Sequence, residues 1–231
     1  MPQIFLANGD SYTAGDGMSD YSHQQSERSK LTWPGALCRA VNIPNWVNIA
    51  ESGGGSAHQI ARTTIAVLHE LLYKHHMAPQ NILVGVMYSI YFRFELPVEG
   101  KGWVRGYLGN KEKIIQSWIK YCLNEKSAAF YFYQHVYLLQ SYLEKLGVNY
   151  FMMSIKNDFL DLNDTEYEPY KKQINFDKFF YINNNDKKYG FYDWGVENNY
   201  KQTPCSHFYE DAHNDFVNQH LIPWLKELKY I

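Results

Sequence analysis

The sequence predicts an α/β fold in which strands and helices alternate around a central parallel sheet. Three short apolar segments carry this prediction: residues 3–7, 46–50 and 81–87 are each typical of a buried strand. Helical patterns lie between them. Since strand–helix–strand connections are right-handed and join parallel strands, this order indicates one parallel sheet.

The helices follow from capping residues and from periodicity. Thr32 ahead of Pro34 predicts the start of one helix, and Ser56 predicts the start of another. A long helix is expected over residues 111–146, with a break near Asn124. A last helix carries an apolar stripe made of Phe216, Val217, Leu221, Trp224, Leu225 and Leu228.

The remaining segments complete a single domain over residues 1–231. Residues 148–153 predict a fourth strand, and residues 176–182 are a candidate fifth strand. Five glycines or prolines between residues 96 and 109 favour a long loop. We therefore expect insertions near residues 96–110 and 156–202.

Composition excludes several classes of partner. The formal net charge is −2, charged residues make up 20% of the chain, and no block of like charge stands out, so neither nucleic acid nor a membrane is expected as the partner. The sequence shows no signal peptide and no run of 18 apolar residues. Its three cysteines lack metal-ligand spacing and are expected to be reduced thiols, which favours a cytoplasmic location in a cell or viral host.

Four segments with chemically useful side chains fall where strands end, and active groups gather at the carboxyl ends of parallel strands. Ser11 follows the first strand, the glycine-rich turn 51–56 follows the second, and Ser89 follows the third. His207 precedes the last helix. Each also has an ordinary structural interpretation. Ser11 could simply cap a turn, and residues 51–56 could be a flexible connection. Ser89 could be a hydrogen-bonded polar residue at a strand end, and His207 could be a structural histidine, one of nine in the chain.

Taken together, these segments resemble the SGNH (GDSL) hydrolases. The resemblance rests on Gly9-Asp10-Ser11 after the first strand, on Asn48 and Gly53 in the second block, and on His207 before the last helix. The segments NGDSYTAGDG and FRFE resemble a subgroup common in viral and phage genomes. The resemblance implies a three-layer α/β/α sandwich of flavodoxin-like topology, with four or five parallel strands in the order 2-1-3-4-5.

The resemblance also implies roles for particular residues. Ser11 would be the nucleophile and His207 its base, with His213 or His58 as alternative bases. The N–H groups of Ser11 and Gly53 would bind the oxyanion, Ser89 would add a hydroxyl, and Gly54 is the fallback donor. The residues expected to contact the substrate are Asp10, Gly54, Tyr88 and Arg93.

Two positions depart from the pattern of the family. Ser89 stands where the family has an asparagine of the oxyanion hole, and Cys205 and Pro204 stand where it has the acid. Asp193, Glu197 and Asp211 are possible replacement acids. We expect instead a Ser–His dyad in which a backbone carbonyl of residues 201–205 orients His207.

The resulting hypothesis is a serine esterase or acetylesterase that works without a metal or cofactor. Its substrate would be a small-molecule or carbohydrate ester, such as an O-acetyl group on a sugar, which the 20 Tyr, 13 Phe and 6 Trp residues and the family resemblance suggest. The alternative is a binding or structural module of the same fold, for example a virion component. A flavodoxin-like ligand binder would share the sheet but gives no reason for His207.

Overall fold

The computed structural model describes residues 1–24, 27–107, 109–162, 165–183 and 186–231, without the side chain of Asp161. The strands are β1 Ile4–Gly9, β2 Asn45–Asn48, β3 Ile82–Tyr88, β4 Phe94–Val98, β5 Gly102–Gly106 and β6 Asn149–Ser154. The helices are α1 Ser11–Ala14, α2 Trp33–Val41, α3 Ala57–His69, α4 Lys113–Tyr121, α5 Glu125–Leu146, α6 Glu168–Lys171, α7 Phe191–Glu197, α8 Glu210–Phe216 and α9 Ile222–Glu227.

The central sheet is parallel and has the strand order β2-β1-β3-β6. β1 is an inner strand, with Ile4 opposite Asn45 on one side and Ile82 on the other. All six of its residues are buried, as an apolar strand covered on both faces requires. The predicted fold class and the predicted order of the first four sheet strands are confirmed.

The predicted fifth strand does not form. The segment begins with a 3₁₀ turn at Phe176–Lys178, and its pairing with the sheet is a single parallel bridge between Phe179 and Met152. Phe180 N–H donates to the Met152 carbonyl at 2.8 Å. The chain therefore reaches the fifth position at the sheet edge but leaves it after one bridge.

The long loop predicted over residues 96–109 is also wrong, because residues 96–106 are part of a β-hairpin. β4 and β5 pair antiparallel, with Leu96 opposite Val104. Gly100 and Gly102 both have a φ of +73°, so these glycines form the tight turn that joins the strands. Pro97 is tolerated because this two-stranded sheet leaves an edge unpaired.

The predicted helix boundaries follow the capping residues. Ser56 Oγ accepts a hydrogen bond from Gln59 N–H at the start of α3. Asn124 separates α4 from α5 and forms a capping box with Ser127, which explains the predicted break. The last helix begins at Glu210, before the first residue of its apolar stripe. It continues from α8 through a π-helical turn at Val217–Leu221 into α9.

Helices cover both faces of the sheet and form two apolar layers. Alternate strand residues face opposite sides, so Leu6 and Val84 pack against α3 and α5, whereas Phe5 and Phe151 pack against α2 and the C-terminal helices. This layering is the predicted three-layer sandwich. Among the described residues, no helix has both the length and the apolar character needed to cross a membrane.

Candidate active site

Ser11 lies where the first strand ends. β1 stops at Gly9, and the Asp10 carboxylate caps the following turn by accepting the Tyr12 N–H at 3.0 Å. Ser11 is therefore the first residue of α1. Asn48, at the end of β2, fixes this turn from outside because its side-chain amide donates to the Thr13 carbonyl at 2.8 Å.

His207 lies in a tight loop that precedes α8. Thr203 N–H donates to the His207 carbonyl at 2.7 Å, and His207 N–H donates to Thr203 Oγ1 at 3.2 Å. Tyr12 supports the loop from below: its hydroxyl donates to the Ser206 carbonyl at 2.8 Å, and its ring centroid is 4.5 Å from that of His207. The loop thus holds the imidazole in one orientation over the sheet edge.

The two side chains meet, with 2.7 Å between Ser11 Oγ and His207 Nε2. Ser11 is 8% exposed, and His207 is partly exposed. A hydroxyl that donates to Nε2 fixes the tautomer in which Nδ1 carries the proton. The arrangement can remove a proton from Ser11, which is the first requirement of serine nucleophilic catalysis.

The other ring nitrogen faces Cys205. His207 Nδ1 lies 3.3 Å from Cys205 Sγ, and the same thiol lies 3.1 Å from Thr203 Oγ1. No carboxylate oxygen of the described residues lies within 4.0 Å of either ring nitrogen of His207. Asp193 accepts instead from Gly190 N–H, Glu197 from Tyr189, and Asp211 from Ala212 N–H.

The charge state of His207 reflects its partial burial. Burial lowers the pKa of His207, and the Arg93 guanidinium lowers it further. The Asp16 carboxylate and the Cys205 backbone act in the opposite direction and partly offset this. The neutral imidazole, which is the form that can accept a proton, is therefore favoured near neutral pH.

Asp16 was not predicted from the sequence, although it is the acidic group that most affects His207. One carboxylate oxygen accepts a short hydrogen bond from the Ser52 hydroxyl, and the other is buried without a partner among the described residues. The only sequence signal was its position five residues after Ser11, on a loop that returns to the end of the sheet.

Two backbone N–H groups are available for a developing negative charge. Neither Ser11 N–H nor Gly53 N–H donates a hydrogen bond to another described residue, and Gly53 adopts a φ of +71°. The fallback donor Gly54 is excluded as a donor, and its contact with a substrate stays a prediction. Its N–H already donates to the Glu51 carbonyl at 2.8 Å, and the residue is buried.

Arg93 and Asp10 place opposite charges beside Ser11. Arg93 Nη1 donates to the Gly53 carbonyl at 2.6 Å. Burial raises the pKa of Asp10 to about 6, although the Arg93 charge and the Tyr12 N–H lower it. Both charges thus lie in the surroundings of the Ser11–His207 pair, and their contact with a substrate stays a prediction.

Ser89 lies beneath the glycine-rich turn and is 1% exposed. A side chain on Gly55 would collide with both Asp10 and Ser89, at 2.6 Å and 2.9 Å, so the glycine allows these residues to approach. The Ser89 hydroxyl helps to lower the Asp10 pKa but makes no regular hydrogen bond within the described residues. Like one Asp16 oxygen and Arg93 Nε, it is a buried polar atom without a partner there.

Tyr88 does not contact this site, contrary to the sequence prediction. Its side chain is completely buried, with its ring packed on Phe132 and Phe179. Its hydroxyl lies 3.5 Å from the sulfur of Met152. Residues 84, 86 and 88 point to the same face of the sheet, so the period of two along β3 directs Tyr88 into the core.

The two alternative bases lie elsewhere. His213 is buried and accepts the Trp33 N–H at 3.2 Å, and burial lowers its pKa to about 3. His58 belongs to a second group of side chains, the Glu95 cluster, formed by His58, Arg62 and Glu95. Glu95 therefore pairs with Arg62 and His58 and not with the nearby Arg93.

The described residues contain no group of three or more histidine, cysteine or acidic side chains arranged to hold a metal ion. What the site offers instead is a serine–histidine pair, two free N–H groups, a guanidinium and two carboxylates.

Solved structures with a similar fold include two hydrolases. A carbohydrate esterase, whose active site is described as having divergent catalytic and non-catalytic binding functions, matches with a TM-score of 0.50 and 13% identity. The match covers 98% of this chain and 66% of that one. A phospholipase A1 from Streptomyces albidoflavus NA297 matches with a TM-score of 0.47 and 11% identity, over 98% of this chain and 99% of the other.

No curated protein matches the sequence. Residues 15–231 match DUF6071, a family of unknown function. The matched range includes His207 and begins just after Ser11. The chain therefore belongs to the family DUF6071.

Proposed function

We propose that this protein is a serine-type ester hydrolase in which Ser11 is the nucleophile and His207 the general base. The observation that carries the proposal is the 2.7 Å contact between Ser11 Oγ and His207 Nε2. A serine and a histidine in this contact, at the carboxyl edge of a parallel sheet, form the minimal unit for acyl transfer.

The reaction proceeds in two halves. Ser11 Oγ adds to the ester carbonyl carbon while its proton moves to His207 Nε2, and the N–H groups of Ser11 and Gly53 stabilise the oxyanion. The intermediate collapses, and the alcohol leaves with the proton from His207. Water then attacks the acyl-enzyme with the same base, which releases the carboxylic acid and restores Ser11.

The groups around His207 determine how well it performs this role. In the transition state the ring gains a positive charge, which a carboxylate at Nδ1 would normally stabilise. Here Nδ1 faces the Cys205 thiol and backbone, and the carboxylate whose charge acts on the ring is that of Asp16. We therefore expect modest turnover on small activated esters.

The rival function is a binding module that retains the fold with little or no catalysis, for example in a virion. Two observations favour it: His207 lacks a carboxylate partner among the described residues, and Ser89 stands where the SGNH hydrolases have the asparagine of the oxyanion hole. The sequence-based expectation of an O-acetylated carbohydrate substrate stays a prediction, and membership of a viral subgroup remains a hypothesis.

Hydrolysis of p-nitrophenyl acetate separates the two functions. The wild-type protein should hydrolyse it, and Ser11→Ala and His207→Ala should each reduce kcat/KM by roughly 10³-fold or more. Ser19→Ala is the matched control, because Ser19 is an exposed serine of the same loop region. Undiminished hydrolysis by Ser11→Ala would remove the enzyme proposal, and no hydrolysis by the wild-type protein would favour the binding module.

A further inference from the structure

A cavity that we call the hairpin pocket is lined in part by Arg93, the residue that contacts Gly53. Its volume is about 270 Å³. The β4–β5 hairpin covers one side, and the helices α4 and α5 form the other. Most of its walls are apolar or aromatic, and they include Phe94, Leu96, Trp103, Trp118, Leu123 and Phe132.

Arg93 joins the hairpin pocket to the Ser11–His207 site. It lines the pocket, and its Nη1 donates to the carbonyl of Gly53, the proposed oxyanion residue. Its positive charge also lowers the pKa values of Asp10 and His207, which places the guanidinium near both. Arg93 therefore belongs to the wall of the pocket and also contacts the residue proposed to bind the oxyanion, which makes the pocket the candidate site for one end of the substrate.

Apart from Arg93, which donates to the Gly53 carbonyl, the charged groups at the pocket are paired with each other. Glu95, whose side chain is 2% exposed, accepts from Arg62 Nη2 at 3.0 Å and lies 3.5 Å from His58 Nδ1. The Arg62 guanidinium in turn lies 4.8 Å from the ring centroid of Trp103. This pairing leaves the Glu95 cluster without an unmatched charge for an ionic ligand.

We propose that the hairpin pocket binds a medium-chain apolar acyl group of the substrate, a proposal that rests on the proposed ester hydrolase. An acetyl group would leave most of the cavity empty. A methylene occupies about as much volume as a water molecule, roughly 30 Å³, so 270 Å³ corresponds to at most about nine carbons. A single chain does not fill an irregular cavity completely, so we expect it to accommodate about six to eight carbons. A sugar is disfavoured, because most of its hydroxyls would be buried against apolar walls without partners.

The proposal predicts a dependence on chain length that the wild-type protein can test directly. Each methylene that enters the pocket should raise kcat/KM about three- to fourfold, and the rise should stop near the hexanoate or octanoate ester. The assay uses p-nitrophenyl esters from acetate to dodecanoate, below the critical micelle concentration. A flat or falling series in an enzyme that hydrolyses the acetate would overturn the proposal.

Two substitutions locate the effect in the pocket. Ala128→Phe fills the cavity from α5 and should remove the gain for the octanoate ester while leaving the acetate ester within about twofold. Tyr131→Ala removes a wall residue and should reduce the preference for the octanoate over the acetate ester without adding volume to the core. Tyr137→Ala is its matched control, a partly exposed tyrosine of α5 outside the pocket. Equal effects of Tyr131→Ala and Tyr137→Ala would contradict the assignment.

Binding to Ser11→Ala separates this proposal from the proposed function. Calorimetry should show that p-nitrophenyl octanoate binds this variant at least tenfold more tightly than the acetate, and that Ala128→Phe in the same background abolishes the difference. If the wild-type protein hydrolyses no ester but binds the octanoate at least tenfold more tightly than the acetate, the proposed hydrolase activity is refuted and the proposed acyl-binding pocket is supported. Equal binding of the two esters would refute the pocket, and so would a dependence of kcat/KM on the size of the alcohol only.

Discussion

The Ser11–His207 site and the Glu95 cluster each contain a histidine, but the two histidines have different partners. His207 meets a serine hydroxyl at Nε2 and a thiol at Nδ1. His58 has a buried carboxylate 3.5 Å from Nδ1, while its ring packs against Trp103 and His135. His58, which has a carboxylate partner, thus belongs to a structural ion pair. His207, which has none among the described residues, is the candidate base.

The two buried carboxylates of these regions also differ. Burial raises the pKa of Asp10 to about 6. Burial acts in the same direction on Glu95, but the hydrogen bonds from His58 and Arg62 outweigh it and hold the Glu95 pKa below its ordinary value. The charge of Glu95 thus stabilises the Glu95 cluster, whereas the charge of Asp10 destabilises the folded Ser11–His207 site.

The largest expected effect distinguishes the two histidines. His207→Ala should reduce kcat/KM for p-nitrophenyl acetate by roughly 10³-fold or more, because Ser11 would lose the group that accepts its proton. His58→Ala should stay within about tenfold, since His58 contacts the pocket and not Ser11. A loss at His58→Ala that equals the loss at His207→Ala would break the comparison.

The next largest effect concerns the stability of the two carboxylates. A pKa raised from 3.8 to about 6 means that folding disfavours the Asp10 charge, so stability is lost as the pH rises through this range. The free energy of unfolding of Asp10→Asn, relative to that of the wild type, should therefore increase by up to about 3 kcal/mol from pH 3.5 to pH 7.5. Urea denaturation at both pH values measures this gain, and a difference independent of pH would contradict the account.

Glu95→Gln should show the opposite sign in the same experiment. A lowered carboxyl pKa contributes stability that is present above the unfolded-state pKa and is lost as the pH falls through the folded-state pKa. The wild type should therefore exceed Glu95→Gln in stability at pH 7.5, and the gap should shrink in acid. The same trend for Asp10→Asn and Glu95→Gln would show that the two carboxylates do not differ.

Supplying a carboxylate to His207 should make its surroundings resemble those of His58. Cys205→Asp places an acid where Sγ now lies 3.3 Å from Nδ1, and it should raise kcat about tenfold by stabilising the imidazolium. Pro204→Asp tests the neighbouring position of the same loop. Cys205→Ala is the control and should not raise kcat, and an equal gain in Cys205→Ala would contradict the role of the added charge.

The smallest effect is a shift in pH dependence. The base must be neutral, so kcat/KM should fall as the pH drops through the pKa of His207, which burial lowers below its ordinary value. Asp16→Asn removes a charge that raises this pKa, so the acidic limb of the profile should move to lower pH. A movement to higher pH would contradict the proximity of Asp16 to His207.

The sequence predicted those parts of the fold that depend on local patterns. The apolar runs of β1 and β3, the cap at Ser56 and the break at Asn124 are properties of a few adjacent residues, and they were predicted near their observed positions. The β4–β5 hairpin was missed because its glycines and proline are equally typical of a loop. The prediction of a fifth strand was wrong because Phe179 pairs with the sheet through a single bridge.

The candidate site was predictable where a residue directly follows a strand or precedes a helix, as Ser11 follows β1 and His207 precedes α8. Asp16 and Cys205 could not be assigned, because their roles depend on two loops that meet only in the folded chain. Tyr88 was assigned to the wrong side of the sheet, although the alternation along β3 contained the signal that it faces the core. The pairing of Glu95 with Arg62 instead of Arg93 required the packing of β4 against α3.

The central claim is that Ser11 is a nucleophile activated by His207, and covalent labelling tests it most directly. A fluorophosphonate probe, followed by peptide mass spectrometry, should modify the wild-type protein at Ser11 and leave the Ser11→Ala protein unmodified. His207→Ala should label far more slowly, whereas His58→Ala should label at close to the wild-type rate. Absence of label on Ser11 in the folded wild-type protein, or equal labelling after His207→Ala, would contradict the account.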